Sequence, residues 1–256
     1  MNSPRLFIRW FLLTALISCA LPLLTSAGQS REAYAWQSNP QELYGTAKRH
    51  HEAGEYQKAL DVIEDLLKTN PDYAPALLLK SRALVGLFIK TPPLQPGQAD
   101  SPEARREGRI RQAKLLKASA ESLEKFLQLK PDVEEADDLR ERLESLRVYA
   151  EPAIKPDAER TFFSSGEVTE KAHILRRPEP RYPEEARAVR LGGTVKLLLV
   201  LAADGTVKHI LALQSPDSVL TESAIEAASK IKFEPAIKDG HPVSTAIWVE
   251  YGFHTY

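Results

Sequence analysis

Six histidines, one cysteine and scattered serines are the side chains here that could hold a metal, attack a carbonyl or carry a proton. The histidines are His50, His51, His173, His209, His241 and His254. None forms the two-histidine spacing of a zinc hydrolase, because His50-His51-Glu52 puts both rings on adjacent residues. His241 precedes a proline in a turn and reads as solvated loop. No nucleophile elbow, phosphate loop or dinucleotide fingerprint is present, and Asp217-Ser218 and Ser164-Ser165 have no evident base beside them. Cys19 is the only cysteine and falls in an apolar N-terminal stretch. The folded part therefore has no thiol for disulfides, cysteine-bound zinc or nucleophilic attack. The expectation is a protein with no catalytic set, no metal and no cofactor. Net charge is −1, and residues 172–256 hold ten basic and ten acidic side chains, so no single-sign field awaits a polyanion and nucleic acid is not an expected partner. The chemistry left is that of binding.

Arg5 and Arg9 precede an apolar run over residues 10–24, which closes on Thr25-Ser26-Ala27. A basic start, an apolar middle and small residues at the end describe an export signal over 1–27, with Pro22 breaking the helix before the cut. Two alternatives stand beside it. Left uncut, residues 10–27 are eighteen in number, a little under the roughly 20 that span a membrane, and would serve as an anchor. Leu16-Ile17-Ser18-Cys19 also reads as a lipoprotein signal. All three readings place the rest of the chain beyond the inner membrane, in the periplasm.

Residues 41–149 carry no strand pattern. Leu43, Ala47, Tyr56, Ala59, Leu60, Ile63, Leu66 and Leu67 recur at helical spacing, with Gly54 between two segments and Asn70-Pro71 ending the second. Ala59, Ile63 and Pro71 are 4 and 12 apart, and Ser119, Leu123 and Pro131 repeat that interval. The pattern resembles a tetratricopeptide repeat: a small residue lets two helices approach, an apolar one fills the groove, and proline closes the second helix. The two prolines lie 60 residues apart against a period of about 34, so about 26 residues are inserted near 88–113. The insertion includes Thr91-Pro92-Pro93, which cannot be helix, and a helix extension starting near Ser101-Pro102-Glu103. Residues 133–148 read as a terminal helix. Such arrays bind peptides in a concave groove, which on this alignment would be faced by Tyr44, Lys48, His51 and Arg82. The alternative is a spacer or dimerising bundle in which those side chains are merely solvated, and this reading is preferred.

Residues 150–163, rich in proline and charge, read as a linker. Past Phe163 the period becomes alternating. Val195, Leu197, Leu199 and Leu201 line one face of a strand, Asp204-Gly205 gives a hairpin signal, and 207–213 returns. Leu220, Ala224, Ala228 and Ile231 form a helical stripe, and after Lys238-Asp239-Gly240 residues 243–253 alternate as one long strand. The fold class expected is two domains: an all-α helical repeat, then an α+β domain with an antiparallel sheet over 164–256.

Arg177-Pro178-Glu179-Pro180-Arg181-Tyr182-Pro183-Glu184-Glu185-Ala186-Arg187 is similar to the opening of a TonB C-terminal domain. Gly193-Thr194-Val195, Asp204-Gly205-Thr206-Val207, Ile231-Lys232-Phe233-Glu234-Pro235-Ala236 and Asp239-Gly240-His241-Pro242-Val243 follow in the order and spacing of that family. Physically, Pro183 suits a first helical position, Glu184-Glu185 suits its dipole, and Pro235 interrupts pairing. The resemblance implies a protein of the cell envelope whose C-terminal domain grips the TonB box of an outer-membrane transporter by strand addition, supporting energy-dependent transport. On that reading the docking strand carries Val243, Thr245, Ile247, Val249, Tyr251 and Phe253, with Trp248 as a packing residue. The implied partners are an outer-membrane transporter or another envelope protein, and the ExbB–ExbD motor if the N-terminal segment stays uncut. A homodimer is left open. No histidine precedes His50, whereas the energised members carry one in their membrane span, and a helical region replaces their proline-rich spacer. The alternative is a non-energised adaptor scaffolding envelope complexes.

Overall fold

A computed structural model describes residues 39–91, 102–151 and 160–254. The export-signal reading, residues 92–101 of the insertion and most of the linker lie outside these residues. Helix α1 (Pro40–Glu52) starts where the Asn39 side chain accepts from the Gln41 N–H and Pro40 takes an early position; Arg49, His50 and His51 occupy its last turn, favourable to its dipole. Gly54, at φ 71°, turns the chain into α2 (Tyr56–Thr69), which buries Ala59, Leu60, Ile63 and Leu66 and stops before Pro71. Helix α3 (Ala74–Lys90) is buried on most sides, so its apolar residues form no clean stripe. Gly86 is there for clearance: a Cβ on it would sit 2.5 Å from the Tyr56 ring. Helix α4 (Pro102–Leu129) begins at the proline the sequence marks and runs unbroken. Helix α5 is Ala136–Tyr149, so Val133 stands in the turn before it rather than on it. Each helix packs on the next in sequence. Ser119, at the small-residue position, is buried, its hydroxyl 2.8 Å from that of Ser81 and donating to the Ser81 carbonyl at 2.9 Å.

The C-terminal part runs β1 (His173–Arg176), α6 (Glu184–Ala188), β2 (Gly193–Leu201), β3 (Val207–Gln214), α7 (Ser218–Ser229), β4 (Lys232–Glu234), β5 (Ala236–Lys238), β6 (His241–Val243) and β7 (Thr245–Phe253). Pro183 precedes the short helix instead of opening it. The Asp204-Gly205 hairpin forms as its residues dictate: Gly205 has φ 80°, and the Asp204 carboxylate accepts from the Thr206 N–H at 3.0 Å. Asp239 and Gly240 both take positive φ, at 52° and 79°, and join β5 to β6. The long strand expected over 243–253 is two strands, broken at Ser244, with Val243 paired to Ala236. The main sheet has the antiparallel order β3-β2-β7, and β2 matches β7 without a break from Gly193↔Phe253 to Leu201↔Thr245.

That sheet is covered on both faces. Val195, Leu197, Leu199 and Leu201 face Leu220, Ala224 and Ala228 of α7, as the alternation implies. Leu198 and Val200, with Leu211 and Leu213 of β3, enter a second core shared with Val85, Phe88, Leu116, Leu123, Leu146 and Tyr149 of the helices. The described residues thus make one compact unit. The unbroken run Leu197-Leu198-Leu199-Val200-Leu201 is what two-sided burial demands.

Candidate peptide-docking site

The two borders of the sheet are treated differently. On the β3 border, α5 supplies side chains that cap strand carbonyls: Tyr149 donates to the carbonyl of His209 at 2.6 Å, and Arg142 donates to that of Ala212 at 3.0 Å. Burial lowers the Arg142 guanidinium to about 10, with Arg82 adding to the effect, and burial pushes the Tyr149 phenol up. Both stay protonated at neutral pH and keep donating.

The β7 border is mostly bare. Ala246 donates its N–H to the carbonyl of Phe163 at 3.1 Å, and Phe163 donates to the carbonyl of Ser244 at 2.9 Å, so a short piece of chain runs parallel to the start of β7. The Arg177 guanidinium donates to the carbonyl of Glu250 and lies 4.5 Å from the Tyr251 ring centroid. In an antiparallel ladder, hydrogen-bonding directions alternate residue by residue. The Phe163 and Arg177 bonds fix the phase: the polar backbone groups of Ala246, Trp248, Glu250 and Gly252 point out of the sheet. Those of Thr245, Ile247, Val249, Tyr251 and Phe253 turn to β2. The five β7 residues singled out from the sequence are therefore the ones whose backbone is already used, and the outward groups belong to their neighbours. Among the described residues nothing else bonds to the outward N–H groups of Trp248, Glu250 and Gly252. The side chains of Val249, Tyr251 and Phe253 are buried against α7 and hold the strand in place.

Trp248 points to the opposite face. Its ring stacks on Phe88 of α3, with centroids 5.9 Å apart and planes within 13°, yet 42% of the residue stays exposed. Beside it lies a cavity of about 210 Å³, walled by Ala246, Trp248, Phe88, Leu116 and Phe162. Arg109 of α4 and Glu167 also line it, 3.8 Å apart. Burial would raise the Glu167 carboxyl, but hydrogen bonds from Arg160 at 2.9 Å and from the Ser164 hydroxyl and N–H outweigh it and hold the group at about 2. The Nε of Arg109 is buried with no partner.

The groove candidates Tyr44, Lys48 and His51 stand four and three residues apart on α1 and so share a face of it, and Arg82 stands on α3. Tyr44 packs on Tyr73 at 5.9 Å, Lys48 pairs with Glu52 at 3.7 Å in solvent, and His51 lies edge-on to Tyr56. Burial, then the Arg82 charge, lowers the His51 pKa. No group of three or more His, Cys, Asp or Glu able to hold a metal occurs among the described residues, and no helix there is long and apolar enough to cross a membrane.

The C-terminal part is thus an α+β domain with a three-stranded antiparallel sheet, one border capped by α5 and one mostly open. Residues 178–255 match the family described as Gram-negative bacterial TonB protein C-terminal, and this part of the chain belongs to it. The solution NMR structure of the Pseudomonas aeruginosa TonB CTD is similar at 30% identity, covering 32% of this chain and 85% of that one with a TM-score of 0.29. No curated protein matches the chain.

Proposed function

We propose that this is a non-enzymatic periplasmic protein whose β7 border docks the TonB box of an outer-membrane transporter by strand addition, in support of energy-dependent transport across the envelope. The observation that carries the reading is the row of outward N–H groups at Trp248, Glu250 and Gly252 on a border left bare while the opposite one is capped. Such a row gives backbone affinity to any extended segment, and several bonds share a load applied along it. Glu250→Pro tests it, because proline there deletes an outward N–H and spares the pairing with β2. The expected result is a folded protein whose affinity for a TonB-box peptide falls at least tenfold; unchanged affinity would place docking elsewhere.

A passive adaptor is the second reading. It is favoured by the helices, which share a core with the sheet instead of forming an extended spacer. A mature protein beginning at Gly28 in mass spectrometry would support the adaptor. A retained N-terminal segment that co-purifies with ExbB–ExbD would support the energised form.

A further inference from the structure

The cavity and the open border share two residues, Ala246 and Trp248. On a sheet, side chains directly opposite one another on neighbouring strands point to the same face. A segment added to β7 therefore sends every second side chain toward the helices. The chain at Phe163 lies beside Thr245 and bonds to Ala246, which closes the border there, so the first free position on the helix-facing side is opposite Trp248, at the mouth of the cavity. We propose that this cavity, roofed by α3 and α4, receives one aromatic side chain of the docked segment, so that the helical region selects among partners. The proposal rests on the docking reading above.

Size and lining agree on the guest. A cavity of about 150 Å³ suffices for a benzene-sized molecule, and this one is about 210 Å³. Phe88, Leu116, Phe162 and Trp248 offer apolar and ring surfaces, against which an aromatic guest packs well. Arg109 and Glu167 form its polar end, and Glu167 is saturated by Arg160 and Ser164, so the guest is held by its ring surface.

The test uses the full chain and a dye-labelled ten-residue peptide copying a transporter's TonB box, with alanine, phenylalanine and tyrosine placed in turn at each position. At one position phenylalanine and tyrosine are expected to bind about tenfold tighter than alanine, and the gain is expected to vanish in Ala113→Phe, which fills the cavity from α4. A photo-crosslinking benzoylphenylalanine at that position, in the unaltered protein, is expected to join Phe88, Leu116 or Phe162. Binding of all copies within twofold, or crosslinks to α7, overturns the proposal and leaves the docking border intact. Binding of no copy overturns both.

Discussion

Gly86 and Tyr56 show how one missing methyl sets a helix spacing. Alanine at 86 would bring its Cβ within 2.5 Å of the Tyr56 ring. The better helix propensity of alanine returns only about 1 kcal/mol, while overpacking costs about 1–3 kcal/mol. Gly86→Ala is expected to destabilise the protein by about 1 kcal/mol in denaturant unfolding, and to become neutral or stabilising when Tyr56 is leucine. Glu167 gives a pH-dependent counterpart. Its carboxyl lies near 2 in the fold against an ordinary 4.5. A depressed folded pKa contributes stability that is complete above about pH 4.5 and is lost as pH falls toward 2. Glu167→Gln should therefore cost on the order of 2 kcal/mol at pH 7, and the gap from wild type should close between pH 4.5 and 2 in thermal melts.

Strand β7 divides its work by parity, and proline scanning reads that division out. Val249 faces Leu197 with its backbone turned to β2, so proline there removes a ladder bond and sets a ring against the partner strand. Val249→Pro is expected to unfold the sheet by circular dichroism, whereas Glu250→Pro keeps it. The alternation of β7 side chains is legible in the sequence. The direction of its backbone is not, because that depends on pairing with β2 and on Phe163 and Arg177, residues 82 and 73 positions distant from their partners Thr245 and Glu250. For the same reason a docking set chosen by side-chain pattern falls on the inward residues. The hairpins at Asp204-Gly205 and Asp239-Gly240 were readable because glycine and its neighbour satisfy each turn locally.

The shared core makes the helices and the sheet one cooperative body. Leu198, Val200, Leu211 and Leu213 would be bare without α3, α4 and α5, so thermal unfolding of the full chain is expected as a single transition reported alike by helix and sheet signals. Two separated transitions would show independent domains. Residues 164–256 alone are expected to aggregate where the full chain stays soluble. The sequence hinted at this in the apolar run of β2, but a two-domain reading of its period change hides a core built across the boundary. Docking by the whole molecule would fall to a single border of the sheet, that of β7. Amide hydrogen exchange of the full chain, with and without a TonB-box peptide, examines it residue by residue. The expected result is new protection at the alternate amides Trp248, Glu250 and Gly252, with Ile247, Val249 and Tyr251 already slow. Peptide binding that leaves those three amides unchanged, or protects β3 or the helices instead, would contradict it.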